Sequence, residues 1–325
     1  MTIRADSASL SPTGVTPVVT VIVLSDYRPG EEKTWDDLRG ALAALAQQDF
    51  DEPAEYLLIE NSSDLKSMPE DVQGNLPGVR VISWDGYGSY SLKNAGINAA
   101  KADLVACLDA DCVPHPGWLR AAVDAMRRWP DAVAVSGRTT YPGRTTLEKA
   151  LGLLSRCYVD RGKPGEVHLL STNNMIVRRA VFQANPLPED AGPLAYRVVT
   201  ERLRRNGGKL YFQPTMLATH DFEGWSMERD LRRQVGWTSI RIRQIDSTLP
   251  GAGVVRALGA ASLPLFWAFR WVESAGHCLR LPKYFGLHWR HVPMLLGLAA
   301  LVHSFELPGM LRALRSQSVG PTVYR

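Results

Sequence analysis

The chain has 325 residues, 45% of them hydrophobic and 22% charged, with a formal net charge of +4. Composition of this kind excludes a disordered chain, a collagen-like repeat and a disulfide-stapled miniprotein, and the length suits two domains or one domain with an appendage. So small a net charge gives no sign of a nucleic-acid partner. Cys107, Cys112, Cys157 and Cys278 show neither C-x-x-C nor zinc-finger spacing, so they read as reduced thiols of an intracellular protein. Residues 1–17 are polar, lack the apolar core of a secretory signal and are expected to form a loose tail.

Val18 to Leu24 (VVTVIVL) is a continuous apolar run bounded by Pro17 and a Ser25-Asp26-Tyr27 turn, which predicts a strand buried on both faces and hence a parallel sheet. Leu38, Leu42 and Leu45 recur at helical spacing with Ala41 and Ala44, predicting a covering helix before the break at Asp49 to Pro53. Two more strands are expected, Tyr56 to Ile59 leading to Glu60, and Val79 to Trp84. A small-residue helix, LKNAGINAAK, follows Ser91, and Leu104 to Leu108 is a fourth apolar run that leads straight into Asp109. The resulting order, β-α-β, β, α-β, is an α/β nucleotide-binding pattern. Further on, Trp118, Leu119, Ala122, Val123 and Met126 mark a helix, followed by a short strand at Ala132 to Val135 and a helix carrying Leu147, Leu151 and Leu154. Ser171 to Val177 reads as extended, Arg197 to Asn206 as a helix closed by Gly207-Gly208, and Lys209 to Gln213 as a strand. No repeat or low-complexity segment is visible.

The pattern changes near Asp230. From there to the end, 12 Lys/Arg stand against 4 Asp/Glu, whereas residues 1–229 hold 25 against 29. Two stretches of this basic region carry no formal charge, Ala257 to Phe269 between Arg256 and Arg270, and Val292 to Phe305 before Glu306. At 13 and 14 residues they fall short of the ~17–25 that a spanning helix needs, so interfacial contact is expected rather than a crossing. Trp267, Trp271, Tyr284 and Trp289 interleave with Arg270, Arg280, Lys283 and Arg290, as in a helix lying on an anionic bilayer surface. A buried helix pair or a homo-oligomer interface is the competing reading.

Asp109-Ala110-Asp111 directly follows an apolar strand, which brings two carboxylates out at the carboxyl edge of a parallel sheet, where α/β folds bind ligands. Hard oxygen donors at that spacing suit Mg²⁺ or Mn²⁺, and such an ion can also hold a diphosphate. Gly86-Tyr87-Gly88 also follows a strand, but position 91 is Ser where a dinucleotide fingerprint needs Gly. Neither a G-x-x-x-x-G-K-[ST] phosphate loop nor a G-x-S-x-G nucleophile elbow occurs.

Taken together, VTVIVLSDYRPG, YLLIENSSD in place of the usual IIVVDDGSTD, SLKNAGINAAKADLVACLDADCVPHPGWL, NNMIVRRAVF and RLRRNGGKLYFQPTMLATH resemble the family 2 glycosyltransferases, over residues 18 to 240 or so. The resemblance implies a GT-A domain at 18–229, a Rossmann-like and mostly parallel sheet flanked by helices, followed by a basic, apolar helical region at 230–325. It implies transfer of a sugar, with inversion, from a nucleoside diphosphate sugar to a hydroxyl; the membrane reading of the basic helices adds a carbohydrate or lipid-linked acceptor and a place at the cytoplasmic face of the cell membrane. Ser25 and Tyr27 would line the nucleoside pocket, and Glu60 would read the base; a carboxylate accepts the imide N–H of uracil or thymine, which favours a UDP- or dTDP-sugar. Lys93, Asn94, Arg233 and Trp237 would attend the donor, Asp109 the ribose or the metal, and Asp109, Asp111 and His220 would ligate Mn²⁺ or Mg²⁺.

The pattern departs from the family at the catalytic base. Family members carry a Glu-Asp pair before the R-L-R-R helix, but counting back from Arg202 places Ala195-Tyr196 there. Asp190 is the first substitute, with Glu189 beside it and Glu201 as a fallback, although Glu201 also suits an i,i+4 pair with Arg205. The missing pair keeps open a non-catalytic nucleotide-sugar-binding scaffold, and the basic helices keep open a soluble, dimeric transferase acting on a small molecule.

Overall fold

A computed structural model describes residues 16–25, 34–189, 192–220 and 224–317; Tyr27 and Asp190 lie outside them. The chain runs β1 (Val19–Leu24), α1 (Asp36–Ala46), β2 (Ala54–Asn61), short α2 (Ser62–Leu65) and α3 (Glu70–Gly74), β3 (Arg80–Trp84), α4 (Ser89–Ala99), β4 (Leu104–Asp109) and β5 (Cys112–Pro114). It continues through α5 (Trp118–Arg128), β6 (Ala132–Thr140), α6 (Thr146–Arg156), β7 (Gly165–Val167), β8 (Asn174–Arg178), α7 (Arg179–Ala184), α8 (Ala195–Arg205) and β9 (Lys209–His220). Helices α9 (Trp225–Ile245), α10 (Ala252–Leu258), α11 (Leu263–Arg280), α12 (Val292–Ser304) and α13 (Leu307–Leu314) complete it.

All the strands join one sheet of order β3-β2-β1-β4-β8-β6-β9-β5, with β7 also on β9. The expected parallel core is present, since β3, β2, β1 and β4 are mutually parallel. Beyond β4 the sheet turns mixed: β8 runs antiparallel to both β4 and β6, while β6 and β9 are parallel to each other. Side chains of β1 alternate between two hydrophobic layers, with Val19, Val21 and Val23 facing Leu38, Leu42 and Trp118, and Ile22 and Leu24 facing Tyr90, Leu92 and Phe182. The small residues of α4 have a packing reason. A Cβ on Gly96 would lie 2.7 Å from the side chain of Ile22, so only glycine lets that helix rest so close to the sheet.

Strands β6 and β9 run further than the apolar runs that predicted them. Gln213-Pro214-Thr215 interrupts the pattern in the sequence, and the ladder skips there, from Gly137 opposite Gln213 to Arg138 opposite Leu217. Asn174 repairs the gap, donating from Nδ2 to the carbonyls of Arg138 (3.0 Å) and Met216 (3.1 Å) while its Oδ1 accepts from Trp118 Nε1 (2.8 Å). A fully buried side-chain amide therefore satisfies backbone groups that the bulge leaves open.

The region beyond the sheet is helical, as expected, and the boundary expected at 229 falls within α9. Helices α6, α11 and α12 share one hydrophobic cluster; α9, α10, α11 and α13 share another. Helix α13 crosses α9 backbone to backbone: a Cβ on Gly309 would lie 1.8 Å from the carbonyl oxygen of Arg233, and one on Gly236 2.0 Å from that of Glu306. The helical stretches Ala252–Arg280 and Trp289–Leu314 exceed the uncharged runs inside them, and by length and composition alone each is long enough to cross a membrane. Trp267 and Trp271 pin α11 to α12, donating to Ser304 Oγ (3.2 Å) and the Leu296 carbonyl (3.1 Å), which is the packing role of the competing reading. The outward face of α11 instead carries Leu265, Phe269, Val272 and Leu279, each about half exposed or more.

Candidate active site

The parallel register gathers the first site residues. Leu24 lies opposite both Ile59 and Asp109, so Ser25, Glu60 and Asp109 emerge together at the carboxyl edge of β1, β2 and β4. Glu60 is buried there and accepts from the amide of Asn61 at 2.8 Å. Strand β5 pairs antiparallel with the end of β9, Cys112 opposite His220, and this turns His220 onto Asp111 with Nε2 and Oδ2 3.1 Å apart. Asp109 receives the ammonium of Lys93 at 2.5 Å, and Lys93 also donates to Ser89 Oγ. Burial pushes the Asp109 carboxyl up; Lys93 opposes the rise and the charge of Asp111 adds to it.

Among the described residues, no group of three His, Cys, Asp or Glu side chains forms a ready-made metal cage. Asp111 and His220 together still offer a carboxylate oxygen and an imidazole nitrogen side by side. Such a pair suits Mn²⁺ or Mg²⁺ when phosphate oxygens and water complete the coordination, as is usual for these ions.

Asp109, Asp111 and His220 line one end of a cavity of about 220 Å³. The opposite wall comes from the C-terminal region: Glu228 and Arg232 of α9, Arg270, Glu273 and His277 of α11, and His303 of α12. The cavity therefore spans the sheet edge and the helical region, and neither alone encloses it. Behind this wall stands Glu306, fully buried. Its carboxylate accepts hydrogen bonds from Arg270 Nη2 (3.0 Å) and His303 Nδ1 (3.0 Å), and lies 2.8 Å from Arg270 Nε and 3.7 Å from Arg232 Nη1 as ion pairs. Arg232 in turn donates to Glu228 at 2.7 Å, and His303 Nε2 is 2.8 Å from Ser274 Oγ. Burial alone would raise the Glu306 carboxyl, but Arg270, His303 and Arg232 hold it below the usual range. Burial lowers His303 against the pull of Glu306 and so favours its neutral form.

The structure brings Asp109, Asp111 and His220 together, and sets other expected residues elsewhere. Lys93 is buried against Asp109 and does not line the cavity. Asn94 is a loop anchor, exchanging two hydrogen bonds with the backbone of Leu187 (2.9 and 3.0 Å) and donating to Glu189 at 3.1 Å. Glu189 is exposed beside it and not on the cavity wall. Glu201 pairs with Arg205 at 3.0 Å and lines a separate, smaller cavity. Arg233 and Trp237 occupy the other side of α9, where the Trp237 indole donates to the Gln317 carbonyl at 2.8 Å; the helix aims Arg232, one residue earlier, into the cavity. Sequence reasoning missed Arg270, Glu273, Ser274 and Glu306, although Arg270 and Glu306 interrupt apolar runs, which is the signal a buried ion pair leaves.

Residues 31–185 match the family model described as Glycosyl transferase family 2. Glycosyltransferase AglE of Haloferax volcanii is 23% identical over 246 residues, which cover 72% of this chain and 77% of that protein. Among solved structures, mannosyltransferase PcManGT from Pyrobaculum calidifontis, in complex with GDP-Man and Mn²⁺, superposes with a TM-score of 0.55 at 14% identity, covering 94% of this chain and 89% of that one. TarS of S. aureus matches with a TM-score of 0.48 at 13% identity, and the match covers 92% of this chain and 55% of the TarS chain.

Replacing Glu306 by Ala leaves Arg270 buried without its counter-charge and should cost about 3–5 kcal/mol, read from chemical denaturation. His303 and Glu306 both bind protons more weakly in the fold than in the unfolded chain. Their contributions to stability are complete above the unfolded values, 6.5 and 4.5, and are lost as pH falls through the lower folded ones. Melting temperature should therefore begin to drop below about pH 6.5, and His303→Gln should make the first part of that decline shallower, with His277 supplying the rest.

Proposed function

The chain carries a family 2 glycosyltransferase domain on a GT-A fold, and from that premise we propose that it moves a sugar from a nucleoside diphosphate sugar to an acceptor hydroxyl, with inversion and with a divalent cation. The observation that carries this reading is the Asp111–His220 pair, 3.1 Å apart at the carboxyl edge of the sheet and facing the cavity. The ion it would hold, Mn²⁺ or Mg²⁺, supplies positive charge against the departing diphosphate. Asp109, fixed by Lys93, is available to the ribose or to that ion. Glu60 is poised to accept an N–H from the base; uracil, thymine and guanine all present one, so the donor screen should include UDP-, dTDP- and GDP-sugars.

Inversion needs a single displacement. The acceptor oxygen bonds to the anomeric carbon as the bond to the diphosphate oxygen breaks, and the hydroxyl proton passes to a base. The rate comes from interactions that strengthen as negative charge builds on the leaving group, which is where Asp111 and His220 stand. Asp190 and Glu189 are candidates for the base on grounds of sequence proximity alone, and Asn94 already engages Glu189.

We further infer that the helical region rests on an anionic membrane surface at the cytoplasmic face and that the acceptor is lipid-linked. Leu265, Phe269, Val272 and Leu279 form one exposed apolar stripe on α11, and Arg256, Arg280, Lys283 and Arg290 belong to the same region.

A thermal-shift screen of nucleoside diphosphate sugars with Mn²⁺ should find a donor that stabilises the protein, and Asp111→Asn should lose the metal-dependent part of the shift and cut donor turnover on the order of 10²-fold or more. Equal shifts with and without metal, in both proteins, would remove the cation from the reading. In flotation, the full chain should rise with vesicles containing phosphatidylglycerol, and Phe269→Ser with Val272→Ser should weaken the binding; protein left in the soluble fraction would count against the membrane claim.

A further inference from the structure

We propose that Glu273, on the helical region and not on the GT-A sheet, is the general base that deprotonates the acceptor; this rests on the transferase reading above. The family's usual position for that base, at the start of α8, holds Ala195-Tyr196 and no carboxyl. Among the described residues, the acids that line the cavity are Asp109, Asp111, Glu228 and Glu273. Asp109 is held by Lys93, Asp111 stands against His220, and Glu228 accepts from Arg232. Glu273 has neither a hydrogen bond nor an ion pair among the described residues, so its carboxylate is available to a substrate hydroxyl.

Its surroundings suit the task. One turn away on α11, Arg270 is committed to Glu306, and burial lowers His277, with Glu273 opposing the shift and Arg161 and Arg280 adding to it. Arg197 of α8, also on the cavity wall, lies close enough to Glu273 for their charges to interact. Glu273 is exposed at the cavity mouth, next in sequence to Val272 of the apolar stripe.

The step balances simply. The acceptor O–H bond breaks and its proton goes to a Glu273 oxygen; the acceptor oxygen bonds to the anomeric carbon; and the bond from that carbon to the diphosphate breaks, leaving the electron pair on the nucleoside diphosphate.

The test uses the full chain with Mn²⁺ and the nucleoside diphosphate sugar that gives the largest thermal shift. Glu273→Gln should keep the wild-type shift while donor turnover falls by about 10²–10⁴-fold, the usual contribution of a general base. In Glu273→Ala, azide should restore turnover and yield the inverted glycosyl azide, because that nucleophile has no proton to lose. Glu166→Gln, on β7 and outside the cavity, should turn over donor at the wild-type rate. Undiminished turnover in Glu273→Gln overturns the assignment and leaves the transferase reading intact. Loss of the thermal shift along with turnover, or no rescue by azide, makes Glu273 a binding or structural residue and overturns it equally. A wild-type chain that binds no nucleoside diphosphate sugar removes the transferase reading itself.

Discussion

A fully buried carboxylate, Glu306, holds the helical region in the arrangement that closes the cavity. It meets Arg270 of α11, Arg232 of α9 and His303 of α12, so one side chain ties together three helices that belong to two different hydrophobic clusters. Removing charges from water is expensive, and such a cluster persists only where the geometry satisfies nearly every polar atom. The return is positional. Apolar contacts alone tolerate sliding between helices, whereas charge-assisted hydrogen bonds to one carboxylate from Arg270 Nη2 and His303 Nδ1 fix distances between them. Arg232 and Arg270 are also cavity residues, so the interaction that fixes the helices fixes the wall.

Two kinds of construction meet in this cavity. The sheet edge is assembled by parallel register, which delivers Ser25, Glu60 and Asp109 from three adjacent strands, and by the β5–β9 pairing, which delivers His220 to Asp111. The helical wall is assembled by charge pairing and by backbone contact at Gly236 and Gly309. Strand register leaves little freedom in how the sheet edge is built. The helical wall can change its lining with no change to the sheet.

How much of this the sequence disclosed follows from the length scale of each signal. Buried strands leave contiguous apolar runs, so β1, β2 and β4, and the acids that follow them, were legible, as was the helical character beyond Asp230. The extensions of β6 and β9 were not, because Gln213-Pro214-Thr215 resembles a strand end and the compensating residue, Asn174, lies about forty positions away. Helical phase was a second limit. The segment holding Arg232, Arg233 and Trp237 was recognised, but one residue is a rotation of about 100°, and only the packing of α13 decides which arginine meets the cavity. Asn94 shows a third, since a family position fits equally a ligand contact and the loop anchor it forms here. Glu273 carried no local motif at all; its setting depends on how α11 packs against α6 and α12.

The crossing of α13 over α9 also bears on the order in which the protein can mature. Synthesis proceeds from the amino end, so Arg232 and Arg270 leave the ribosome well before Glu306. Until that last acid arrives, two guanidinium groups in the nascent wall lack their shared counter-ion, and the groove left by Gly236 has nothing seated in it. The sheet half can assemble early, while the pocket as a whole is finished only when the final helix docks.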